Sequence, residues 1–183
     1  MFNWHSIEKK KLGLLYLFLS AENRITDADF SLFEELGESV KGFSEMKGDI
    51  IGDCEKLLVS SDSKPRFEIV AEAFSSYKTS GGAANVQDRS ILWALVSLEN
   101  KLTTKSDKKQ LLIESWAETM NIDKSLVLEM RDTCETQNTI AEYQKWLETS
   151  KNMSYREVSS IMQELDINMK SLQQSVSDLI ALG

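Results

Sequence analysis

A short motif occurs twice in this chain, each time behind an apolar run too dense to face water. Glu22-Asn23-Arg24-Ile25-Thr26 follows Leu14-Leu15-Tyr16-Leu17-Phe18-Leu19, and Glu99-Asn100-Lys101-Leu102-Thr103 follows Ile91-Leu92-Trp93-Ala94-Leu95-Val96. The order is the same in both: buried helix, acid, Asn, base, aliphatic residue, Thr. Asn tolerates the left-handed backbone that ends helices. Thr is a good N-cap for the helix that follows. The pair therefore predicts two helix–turn–helix units in one internally duplicated helical domain.

Composition agrees with an all-α fold. The 183 residues include one proline, Pro65, and eight glycines, with 42% hydrophobic content. No stretch alternates apolar and polar residues for long, so strands are not expected. The net charge is −8. A phosphate backbone would be repelled by it, and the two basic groups, Lys9-Lys10-Lys11 and Lys105 with Lys108-Lys109, read as solvated helix ends. The expected partner is thus no nucleic acid but a cation or a basic protein surface. Cys54 and Cys134 each sit among aliphatic residues at helical spacing and read as small buried apolar groups. Lys9-Lys10-Lys11 ahead of Leu12 to Leu19 resembles a signal peptide, but the same apolar pattern recurs in mid-chain at Ile91 to Leu98. Neither run has the roughly 20 apolar residues that a bilayer requires. The expected location is cytoplasmic, with no transmembrane segment and with peripheral membrane association left open.

Along the chain, the first helix is expected from Trp4 to Ala21. The second follows Thr26, has Asp27 and Asp29 in its first turn, and presents Phe30, Phe33, Leu36, Val40 and Phe43. A third spans Asp49 to Val59. Ser60 to Lys64 form a polar loop, Pro65 opens a fourth helix, and Thr79-Ser80-Gly81-Gly82 ends it. The second copy opens with a helix from Asp88 to Leu98, broken by Glu99-Asn100-Lys101. Thr103 or Thr104 caps the next helix, which carries Leu111, Leu112, Trp116 and Met120. After a turn at Asn121-Ile122-Asp123 come two helices, one with Leu126, Val127, Met130 and Cys134, the other with Ile140, Tyr143 and Leu147.

The C-terminal segment, 151–183, has its own character, set against a helical domain of 1–150 whose repeat halves run over about 4–60 and 84–134. Ser154-Tyr155-Arg156-Glu157 is a capping box. Tyr155, Val158, Met162, Leu165, Met169, Leu172, Val176 and Leu179 then follow at alternating spacings of three and four. That is the a/d seam of a long heptad-patterned helix. Three uses are open for it: packing along its own domain, homodimerisation through 154–182, or docking on another protein.

The repeated element resembles the tellurite-resistance TerB-like family, whose domains are helical and internally duplicated. The family hallmark follows a buried helix and reads Asp-Gly, any residue, Ile or Val, Ser or Thr, two residues, Glu. Here Glu22, Asn23, Ile25, Thr26 and Asp29 take those places in the first copy. In the second copy Glu99, Asn100, Leu102 and Thr103 match, and Ser106 stands at the final acid. The resemblance covers roughly residues 10 to 130 and implies clustered acids that bind a divalent cation. Glu22, Asp27, Asp29 and Glu99 are the metal candidates it marks, with calcium or magnesium as the ion and no cofactor required. Read from the residues alone, the same acids cap helices and complement their dipoles.

Catalytic machinery is not evident. His5 is the only histidine, Gly81-Gly82 is too little for a phosphate loop, and no Ser or Cys has an evident His partner. The resemblance implies a non-enzymatic binding or scaffold module working through protein contacts, in a bacterial stress-response or membrane-associated system. Two rivals remain: an acidic partner-blocking protein of the immunity or anti-factor type, and a metal-dependent enzyme using carboxylates.

Overall fold

The computed structural model describes residues 6–59, 64–77, 84–103, 105–150 and 154–182. Among these the chain is all helical, with no strand: α1 Ile7–Leu19, α2 Asp27–Glu38, α3 Phe43–Val59, α4 Arg66–Ser76, α5 Val86–Lys101, α6 Asp107–Thr119, α7 Lys124–Thr149 and α8 Tyr155–Leu182. No helix among them is long and apolar enough to cross a membrane. The loop expected at Ser60 to Ser63, the helix end at Thr79 to Gly82, the cap at Thr104, and Trp4 and His5 lie outside the described residues.

The two apolar runs do what their composition demands. Every residue of α1 from Leu12 to Leu19 is buried, and α5 buries Ile91, Leu92, Ala94, Leu95, Val96 and Leu98. The two helices touch each other, and the remaining helices pack around them. Within the first half, α1 meets α2, α3 and α4, while α3 also meets α2 and α4. Within the second, α5 meets α6, α7 and α8, while α7 also meets α6 and α8. The two halves thus share one pattern of neighbours. They join through α1 on α5, α2 on α5 and α4 on α6.

Aromatic rings fill the core between layers. Phe33 stands edge-on to Tyr16 and to Phe43, at centroid distances of 5.5 and 5.6 Å. Phe74 meets Trp116 edge-on at 6.1 Å, and the Trp116 indole N–H donates to the carbonyl of Asp88 at 3.2 Å. Such pairs add roughly 0.5–1.5 kcal/mol each beyond the area they bury.

Several boundaries differ from the sequence reading. The second and third helices part at Ser39–Gly42, where Gly42 takes φ +77°, so Phe43 begins α3 instead of ending α2. Glu99-Asn100-Lys101 does not break the second buried helix; it forms the last turn of α5. Tertiary partners hold that turn in place: Lys101 donates to Glu35 at 2.5 Å, and Glu99 lies 3.2 Å from the Arg131 guanidinium. Ser106, and not Thr103, occupies the N-cap position of α6. The two helices expected over 124–149 are one, α7, since neither Gly nor Pro interrupts them.

α7 and α8 form an antiparallel hairpin. At about 1.5 Å per residue their 26 and 28 residues give rods of roughly 40 Å. α7 starts in the core with Leu126, Val127, Met130 and Cys134, and α8 returns to it with Leu179 and Ile180. The outer part stands clear of the main core and has its own buried residue, Leu147, 1% exposed. Gln144 donates to Asp166 across the pair at 2.8 Å, which fixes the register. The heptad seam lies along this hairpin, half-buried from Val158 to Leu172 and buried at Val176.

The close approach of α2 and α3 rests on Gly37. A Cβ there would fall on the Phe43 ring, whereas Gly48 and Gly52 have open space around the same position. Gly37→Ala should therefore destabilise by about 1–3 kcal/mol through overpacking. Gly48→Ala should stabilise by roughly 0.5–1 kcal/mol, because helical alanine loses less chain entropy. Urea unfolding of the two variants reads the opposite signs directly.

Candidate functional site

The exposed surface of α7 is the most site-like feature of the described structure. The helix begins at a turn in which Asn121 takes φ 55° and Asp123 caps by accepting from the Ser125 N–H at 2.7 Å. The Ser125 side-chain and backbone hydrogen bonds hold the Asp123 carboxyl below its ordinary range. From there Leu128, Asp132, Glu135, Thr139, Glu142, Tyr143 and Trp146 fall three or four apart, on one face, and all are exposed. Leu128 is 59% exposed, Tyr143 42% and Trp146 53%. The Tyr143 and Trp146 rings stack at 5.6 Å with 14° between their planes. This face therefore interleaves three large apolar side chains with three carboxylates, flanked at its base by the exposed Lys124 and the half-buried Arg131.

Leu128 is a ridge between two clefts. One, of about 170 Å³, runs toward α6 between Glu114, Ala117, Lys124 and Arg131. The other, of about 230 Å³, runs toward α5 between Val96, Glu99, Asn100, Lys105 and Gln110. Arg131 lines both, and its pairing with Glu99 puts the second sequence motif in the wall of the second cleft.

The four metal candidates are scattered. Glu22 is half-buried in the bend after α1, and Asp27 is exposed in the first turn of α2. Asp29 completes a capping box: its carboxylate accepts from the Thr26 N–H at 3.1 Å and from the Thr26 hydroxyl at 2.8 Å. In return the Asp29 N–H donates to the Thr26 hydroxyl at 3.2 Å. Glu99 is the ion-pair partner of Arg131. Among the described residues no three His, Cys, Asp or Glu side chains are gathered so as to hold a metal ion. The thiols are no more reactive. Burial pushes both Cys54 and Cys134 upward, with the Cys54 S–H directed at the Gly13 carbonyl 3.7 Å away.

Two structural features were not read from the sequence. The α7 face was hidden by dividing the helix in two; its unbroken run of helix formers was the available signal. Asn85 caps α5 and accepts from the N–H groups of Gln87 and Asp88, while Asp88 accepts from the Asn85 N–H. The Asn-x-x-Asp spacing announces that box. No family model matches this chain, and no curated protein or solved structure matches it either.

If the α2 acids serve as caps, Thr26→Ala should cost about 1 kcal/mol of stability. The loss should be the same with and without millimolar calcium. A loss that appears only with calcium, followed as melting temperature, would return Asp29 to the role of a ligand. Both cysteines should resist a thiol reagent at pH 8 until the protein is unfolded, because burial disfavours the thiolate.

Proposed function

We propose that this chain is a non-enzymatic, TerB-like binding or scaffold module that works through protein contacts on the α7 face. The matching pattern of neighbours in α1–α4 and α5–α8 supports an internal duplication, and through it the family resemblance. The observation that carries the functional reading is the stacked Tyr143–Trp146 pair, left in water on a projecting hairpin beside Glu142. Exposed aromatic anchors of this kind are enriched where proteins bind one another. Asp132, Glu135 and Glu142 have no ion-pair partner among the described residues, and such carboxylates select the charge of the partner. The partner chemistry that fits is an apolar segment carrying Lys or Arg, such as a basic amphipathic helix laid along α7.

The carboxylates of the chain support contact better than catalysis. They are spread over several faces, and among the described residues no three of them gather at one point. A bound basic segment would place its cations on Asp132, Glu135 and Glu142 and its apolar side chains on Leu128, Tyr143 and Trp146.

Trp146→Ala and Glu142→Lys test this. Both positions are exposed, so each should change stability by no more than about 0.5 kcal/mol. Each should reduce, by tenfold or more, the amount of partner recovered when the tagged protein is purified from its native host. A basic amphipathic peptide should shift tryptophan emission in the wild type and not in Trp146→Ala. Equal recovery of the same partners by wild type and both variants would remove the α7 face from the interaction.

A further inference from the structure

The outer surface of α8 is a separate face, opposite the heptad seam, and its charges are arranged with a symmetry of their own. Ile167 lies at its middle and is 66% exposed. Glu164 and Lys170 stand three residues to either side of it, Gln163 and Ser171 four, Ser160 and Gln174 seven, and Arg156 and Asp178 eleven. Three, four, seven and eleven are the spacings that return to one face of a helix. All these residues are exposed. Among the described residues none of the four charges has an ion-pair partner in its own chain. Asp178 accepts one bond, from the Gln174 amide at 2.9 Å.

We infer that this face pairs with the same face of a second copy of the chain, antiparallel, about a twofold axis through Ile167. Such an axis sets each residue on the one equally far on the other side. Glu164 then meets the partner's Lys170, and Arg156 meets the partner's Asp178. The axis generates each pair twice. The other charges of α8 meet neutral residues, Glu157 against Ser177 and Asp166 against Asn168. Ile167 lies on its own counterpart, and Ser160, Gln163, Ser171 and Gln174 are short or uncharged enough to let the helices approach. A parallel pairing would set every charge on its like, so the pattern selects the antiparallel one. This is the self-complementarity that an isologous interface requires.

The contact is modest. A helix of this length and about 10 Å width offers an interface at the small end of the range for specific complexes. The dimer should therefore form and dissociate over roughly 10 µM to 1 mM protein, and raising salt should weaken it. The face is distinct from that of α7, so Glu142→Lys should leave it intact.

Sedimentation velocity across that concentration range tests the inference. The wild type should move from monomer toward dimer. Lys170→Glu and Glu164→Lys should each weaken association at least tenfold, with circular dichroism unchanged. A mixture of the two single variants should associate again, since each then meets the opposite charge on both sides of the axis. The double variant E164K/K170E should recover the wild-type behaviour. A wild type that stays monomeric to about 1 mM, single variants that associate as the wild type does, or a mixture that stays monomeric would each overturn it.

Discussion

The contact between α1 and α5 organises everything else. Each helix is apolar nearly all round, and a helix of that kind cannot lie on a surface. Each needs neighbours on every side, and two such helices placed together supply one side each. The other sides are closed by α2, α3 and α4 around α1, and by α6, α7 and α8 around α5. Phe33, Phe74 and Trp116, all fully buried, fill the spaces where these layers meet. The similarity of the two halves follows from this demand as much as from the repeated motif.

The same demand explains why the second half carries the exposed apolar surface. α3 and α4, of 17 and 11 residues, are close in length to the 13 of α1. α7 and α8 are much longer, and beyond Cys134 they run past the end of α5. There they have only each other, and two helices cannot cover all the apolar groups on both. Leu147 and the inner side of the heptad seam find cover. Tyr143, Trp146, Tyr155 and Ile167 do not. Surface left open in this way, on a projecting element, is the ground on which the proposal of a binding module stands.

The sequence was legible wherever one local rule sufficed. The dense apolar runs marked the central helices, the spacing of three and four marked α8, and Ser154 with Glu157 marked its start. It was illegible where a distant partner decided the outcome. Glu99-Asn100-Lys101 has the residues of a turn, yet Arg131 and Glu35 keep it helical, and neither is near it in sequence. Asp29 read as a cap from its own residues and as a ligand only through the family resemblance; the structure shows its carboxylate on the Thr26 N–H and hydroxyl. The α7 face could have been read from its periodicity, but its exposure depends on where α5 ends, and no property of residues 128–146 contains that.

Arg89 ties the C-terminal hairpin to the core. Its side chain is buried, with the Nε donating to the carbonyl of Ile180 at 2.7 Å, one Nη to that of Ala181 at 3.1 Å, and the other Nη to that of Ala84 at 2.7 Å. A cation on the last carbonyls of α8 also complements the negative end of that helix. In mechanical terms the hairpin is a beam clamped at its base. α7 grows out of the core at Asp123, and α8 is gripped at its final turn. A sideways load at Trp146, roughly 35 Å along α7 from Asp123 at about 1.5 Å per residue, is borne by the packed bases of the two helices and, at the end of α8, by this guanidinium and the first turn of α5. The next residue along that turn, Asp88, accepts the Trp116 indole N–H. Whatever pulls on the tip is therefore felt one hydrogen bond from the centre of the protein.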